Sequence, residues 1–112
     1  MRIRAIKNAL FYSLSGLRYL LRERAFSQEL AVFISLAVVE LFRNTPLLWR
    51  LYMFSAYVLI LLAEALNSAI ETTIDRISLE KHELSKKAKD IASAAVFIAI
   101  IHFAIVWILS WM

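Results

Sequence analysis

Glu64, Asn67, Glu71 and Asp75 stand three and four residues apart, so on a helix they form a single polar stripe. Leu66, Ala69, Ile70 and Ile74 fall on the opposite face. The stripe continues a run from Leu51 to Ala63 that carries no charge, and an ionisable side chain at a bilayer centre costs about 2.5–3.5 kcal/mol. It is therefore expected to face protein, water or a ligand. Buried carboxylates can bind a cation, move a proton, or bond helices together. Helix bonding accounts comfortably for one Asn or Ser. It accounts poorly for three carboxylates, because adjacent anions repel. A positive counterpart is expected: a divalent metal, or Lys89, Arg4, Arg18 or Arg22 brought in by folding. Glu23 and Glu29 flank the first apolar segment and are placed to add oxygens. Such a site suits magnesium, which binds through one or two carboxylates plus substrate phosphates.

A second polar cluster runs from Glu80 to Asp90. By composition it is a solvated connector. His82 and Glu83 lack zinc-site spacing. Lys89-Asp90 differs, since it opens the last apolar segment level with the stripe, where a lysine can meet phosphate and neutralise Glu71. Ser93 and Ser68 fall at the same depth. His102, deeper in that segment, reads as a bonded packing histidine. The chain has one glycine and no GxxxxGK[ST] motif, so side chains and metal, not a glycine-rich loop, would have to hold any nucleotide phosphates. Nucleic acid is a poor partner, because the basic residues lie beside apolar faces without an aromatic stacking surface.

The elements that carry these residues follow from hydropathy. The chain has 112 residues, 62% of them hydrophobic, with one Gly, one Pro and no Cys. Its mean hydropathy is +0.69. These values predict a single all-helical membrane domain over 1–112 without disulfides or thiolate metal sites. The N-terminus lacks the pattern of a cleavable signal. Residues 4–24 alternate apolar and basic positions at helical spacing and predict an amphipathic helix against anionic lipid. Packing of that helix on a partner is the alternative, and Gly16 within it either weakens the helix or marks a close approach. Transmembrane segments are expected at 25–42, 47–74 and 91–112, with Arg43 to Pro46 as a turn and Arg76 to Asp90 as a charged loop or helical extension. Trp107 and Trp111 suit an interfacial belt. Six Lys/Arg precede residue 25, five lie in 76–90, two in 43–50 and none after Asp90. By the positive-inside rule the N-terminus and the 76–90 segment are cytoplasmic, and the 43–50 turn and the C-terminus are outside.

The stretch Glu64-Ala65-Leu66-Asn67-Ser68-Ala69-Ile70-Glu71, then Asp75-Arg76, then Glu83 through Lys89-Asp90 to Val96, resembles the small integral-membrane diacylglycerol kinases of bacteria. Tyr12-Ser13, Gly16-Leu17-Arg18 and Glu23 through Ala25-Phe26 to Gln28-Glu29 carry the resemblance upstream. It implies a homotrimer of three-span subunits in the bacterial inner membrane, with sites shared between subunits near the cytoplasmic interface. It implies transfer of the γ-phosphate of MgATP to a lipid hydroxyl, giving phosphatidic acid from diacylglycerol. By motif position Glu64 would be the general base, Glu23 and Glu71 would hold magnesium, and Asn67 would position reacting groups. Lys89 would meet phosphate, with Asp90 orienting it. Arg4, Tyr12, Glu80, Lys81 and His82 would line the nucleotide together with Glu23, Glu71, Lys89 and Asp90. Ala25, Phe26, Ser27, Gln28, Glu29, Ser93 and Trp107 would line the lipid cleft beside Glu64. The spacings from Lys7 to Gly16 and from Gly16 to Glu23 each differ by one from the family pattern, which bears on Arg4 and Lys7. A sibling branch phosphorylates undecaprenol, but Ser68 and the Ala92-Ser93-Ala94 run favour diacylglycerol. A non-enzymatic helical subunit or cation-conducting oligomer explains the carboxylates but not Lys89-Asp90 at the same depth.

Overall fold

The computed structural model describes residues 2–112 and contains four helices in chain order: α1 (Arg2–Leu21), α2 (Arg24–Phe42), α3 (Leu47–Ile77) and α4 (Glu83–Ser110). No strand occurs among the described residues. Three of the helices, α2, α3 and α4, are long and apolar enough to cross a membrane. At 1.5 Å per residue α2 is about 29 Å long, close to the hydrocarbon thickness of about 30 Å. α3 and α4 reach about 46 and 42 Å and must project beyond it. Counting about 20 residues from Leu47 along α3 ends at Leu66, and counting back from Ser110 along α4 ends at Ile91. Glu64 thus stands at the edge of the hydrocarbon. By the same count Asn67 and Lys89 fall within one turn past it, and Glu71 and Asp75 about 8 and 14 Å past it along α3.

One helix end departs from expectation, and the charged segment takes the helical-extension alternative. α1 stops at Leu21, short of residue 24. The N–H groups of Arg22 and Glu23 turn back onto the carbonyls of Tyr19 and Leu20, and Ser27 Oγ donates to the Leu21 carbonyl at 2.7 Å. Glu23 is extended, at φ −82° and ψ 133°, and begins α2 as its N-cap. In the charged segment α3 continues to Ile77, only Ser78 to His82 connects, and α4 starts at Glu83. His82 caps α4, its Nδ1 accepting from the Leu84 N–H at 3.1 Å. The Asn44 to Pro46 turn joins α2 to α3 as the sequence predicts.

α3 is the central element. It packs mostly on α4, less on α2, while α1 touches chiefly α2. Met53, Ala56, Tyr57 and Ile60 are buried at helical spacing along α3, and Tyr57 lies between Phe33 of α2 and Phe103 of α4, with ring centroids 4.8 and 5.2 Å away. No residue of α1 is buried. The radius of gyration is 17.1 Å, against about 13 Å for a compact domain of this length. Much apolar surface therefore faces outward, as it would against lipid or further subunits.

Candidate functional site

The buried stripe of α3 continues from Ile60 into polar residues. Glu64, Asn67 and Ser68 are 8%, 9% and 9% exposed. Leu66 is 59% exposed and Ile70 also faces out. The polar side of this turn therefore points into protein, as its cost in lipid requires. Ile74 is the exception to the expected apolar face. It lies two turns beyond Asn67 and is buried with it, while Glu71 and Asp75 are exposed.

Three elements converge on that turn. The α1–α2 corner brings Glu23 to α3, where its carboxylate accepts from Ser68 Oγ. One turn on, Asn67 Nδ2 donates to Glu71 Oε1 at 3.3 Å. From α4, Lys89 Nζ donates to Asp75 Oδ1 at 2.8 Å. α2 presents Glu29, whose Oε2 is buried with no hydrogen-bond partner among the described residues, while the Tyr57 hydroxyl donates to the Glu29 backbone carbonyl. Glu23 thus joins Ser68.

The direct partner of Lys89 on the stripe is Asp75, one turn beyond Glu71. The Asp90 carboxylate takes Lys86 Nζ at 2.6 Å, four residues back on the exposed face of α4, so the carboxylate that bonds Lys89 is Asp75.

The nucleotide residues divide into two groups. Glu80, Lys81, His82, Lys89 and Asp90 line one cleft of about 660 Å³ around the Ser78 to His82 connector. Arg4 and Tyr12 lie on α1 and are exposed, and they are not among the residues lining that cleft. A separate pocket of about 500 Å³ between α1 and α3 takes in Ser13, Gly16, Glu23 and Ser68.

The lipid residues divide as well. Ala25, Gln28 and Glu29 line a groove of about 340 Å³ with Tyr57, Ile60 and Ile100. Phe26 is buried, and Ser27 is taken up in holding the α1–α2 corner. Ser93 is exposed on α4. Trp107 stands at the opposite end of α4, 6.0 Å from Phe103 and 6.2 Å from Trp111 by ring centroids.

Among the described residues no three His, Asp or Glu side chains stand close enough to hold a metal unaided. The donor set nonetheless fits magnesium bound partly by phosphate. Glu23 and Glu71 are tied to adjacent residues of α3, and Asn67 Oδ1 is buried with no hydrogen-bond partner among the described residues. One feature escaped sequence reasoning, the polar knot made by Glu40, Arg43 and Arg50. Glu40 alone signalled it, as the one charge between Leu30 and Phe42.

The family model for prokaryotic diacylglycerol kinase matches residues 11–111. A diacylglycerol kinase of Escherichia coli (strain K12) is 44% identical over 102 residues, which cover 89% of this chain and 84% of that protein. One from Pseudomonas aeruginosa is 42% identical over 106 residues, covering 94% and 86%. One from Haemophilus influenzae is 42% identical over 101 residues, covering 89% and 86%.

Proposed function

The chain belongs to the prokaryotic diacylglycerol kinase family, and from that premise we propose that it moves the γ-phosphate of MgATP onto the hydroxyl of diacylglycerol, giving phosphatidic acid. The observation that carries this reading is the buried Glu64 to Ser68 turn at the edge of the hydrocarbon, with Lys89 of α4 and Glu23 of the α1–α2 corner brought against the same helix. A lipid hydroxyl arrives at that depth, and phosphoryl transfer asks for positioning and charge neutralisation more than covalent chemistry.

In this mechanism the lipid enters along the Ala25, Gln28 and Glu29 groove. Glu64 accepts the hydroxyl proton as the oxygen attacks the γ-phosphorus. Asn67 positions the reacting groups. Lys89, held by Asp75, meets the phosphates, and the connector from Glu80 to His82 lines the nucleotide. Bound magnesium, held by Glu23 and Glu71, would neutralise phosphate charge. Arg4 and Tyr12 reach the nucleotide only if another subunit supplies them, which supports a homotrimer with shared sites. The exposed apolar faces of α2 and α4 support the same assembly. The basic residues of α1 and of the 76–90 segment support a bacterial inner-membrane protein with both on the cytoplasmic side.

Purified chain in mixed micelles with labelled ATP tests the assignment. Phosphate is expected on diacylglycerol in a magnesium-dependent reaction. Preference for undecaprenol would move the chain to the sibling activity. Failure to phosphorylate either alcohol would return it to the non-enzymatic reading.

A further inference from the structure

The five residues Ser78 to His82 are fixed at both ends by side chains. At one end Ser78 Oγ accepts from the Glu80 N–H at 3.0 Å, and the Ser78 N–H donates to the Ile74 carbonyl of α3. At the other end His82 is extended, at φ −137° and ψ 139°, and its Nδ1 accepts from the Leu84 N–H at 3.1 Å. The His82 carbonyl takes the first bond of α4, from the Lys86 N–H at 3.0 Å. This is a helix cap, a place filled mostly by Ser, Thr, Asp or Asn. An imidazole fills it on a condition those residues do not share. Nδ1 accepts only while it carries no proton, which puts the ring's single proton on Nε2. An imidazolium has two N–H donors, no acceptor, and a positive charge at the positive end of the helix. Imidazole is the side chain that changes charge between about pH 5 and 8. His82 also lines the cleft around the connector. The charged groups that share this cleft are Asp75 from α3, Glu80 and Lys81 from the connector, and Glu83, Lys86, Lys89 and Asp90 from α4. Lys89 bonds Asp75 and Lys86 bonds Asp90. Among the described residues Glu80, Lys81 and Glu83 are therefore the charges in the cleft outside an ion pair.

We propose that His82 is a positioning residue for the nucleotide: its neutral imidazole, held in the Nε2–H form by capping α4, fixes the connector, and protonation releases it. Uptake of a proton at Nδ1 breaks the bond from the Leu84 N–H. The first turn of α4 loses its cap, and the chain from Glu80 to Leu84 is then held by a side chain only at Ser78. Glu80 and Lys81 move with it, so the wall of the cleft loosens. Lys89 lies two turns further along α4 and keeps its hold on Asp75. Nucleotide binds less well as pH falls through the imidazole range. The cap stands on its own geometry, and its effect on nucleotide rests on this cleft being the nucleotide site.

The test compares native chain, His82→Asn and His82→Ala in detergent micelles between about pH 8 and pH 5. Asn supplies a cap acceptor that does not titrate, and Ala supplies none. Amide exchange at Leu84 without nucleotide measures the cap, as protection relative to the intrinsic rate at each pH. Loss of a cap corresponds to about twofold to thirtyfold in the opening of the first turn. Native protection is expected to fall by that amount on acidification. His82→Asn is expected to stay level, and His82→Ala to be weakly protected throughout. The KM for MgATP measures the consequence. Its ratio, native to His82→Asn, is expected to rise by about twofold or more from about pH 8 to pH 6. Protonation of ATP is common to both proteins and cancels in that ratio. A poorly folding His82→Ala leaves the comparison of native chain with His82→Asn decisive. Native protection that runs parallel to His82→Asn at every pH overturns the proposal. A KM ratio that stays level, or that falls as it would if the imidazolium simply attracted phosphate, also overturns it. Absence of ATP turnover in the native chain would instead strike the kinase assignment, and the exchange result would still decide the cap.

Discussion

The chemistry at the level of single residues depends on a few carboxylates having different neighbours. Glu64 is buried, Glu71 is bonded to an amide, and Asp75 is paired with an ammonium. Glu64→Gln preserves size and polarity but cannot take a proton. It is expected to cost about 10²–10⁴-fold in kcat with nucleotide binding and melting temperature unchanged, measured by lipid phosphorylation alongside thermal denaturation. Glu71→Gln keeps an acceptor for Asn67 but loses charge. It is expected to raise the magnesium concentration needed for half-maximal rate, and an unmoved titration would remove Glu71 from the metal site. The stripe itself was legible because three- and four-residue spacing within one helix needs no tertiary information. Which cation would meet which carboxylate was not. Lys89 bonds Asp75, one turn beyond Glu71, and the register of α4 on α3 that decides this is a tertiary property no local pattern encodes.

Among the elements, the break between α1 and α2 matters most for the site. Arg22 and Arg24 are good helix formers, so propensity alone carries the helix to residue 24. The chain instead turns at Glu23, whose carboxylate reaches Ser68 while Ser27 closes the corner behind it. A tertiary contact overrides the local preference, which is why the three apolar segments were legible and this boundary was not. Gly16 lies two turns before that corner. A Cβ built on it meets nothing within 4 Å, so the close approach allowed by the sequence does not occur within one chain. Gly16→Ala is therefore expected to stabilise α1 by up to about 1 kcal/mol in thermal or denaturant unfolding. Destabilisation would instead place a neighbouring subunit or ligand against that position.

Across the whole molecule, polar groups gather at both ends of the helices. At the end away from Glu64, Arg43 bonds Glu40 at 2.5 Å and donates to the Ser110 carbonyl at 3.1 Å. Its guanidinium lies 3.6 Å from the Trp111 ring centroid and 5.3 Å from that of Trp107. Arg50 donates to the carbonyls of Glu40 and Arg43. These bonds fasten the α2–α3 turn to the end of α4. Arg43→Ala would leave Glu40 largely enclosed with only Arg50, 3.8 Å away, as a partner. It is expected to cost about 3 kcal/mol in unfolding measurements, with kcat per folded molecule retained. Lys89 and Trp107 are 18 residues apart on α4, about 27 Å along its axis. All three tryptophans, Trp49, Trp107 and Trp111, belong to this distant end. Intrinsic fluorescence therefore watches the Arg43 corner and is nearly blind to nucleotide or lipid at Glu64. An emission shift on denaturation reports opening of that corner, and an indole placed near the α1–α2 corner would supply the missing optical view of the catalytic half.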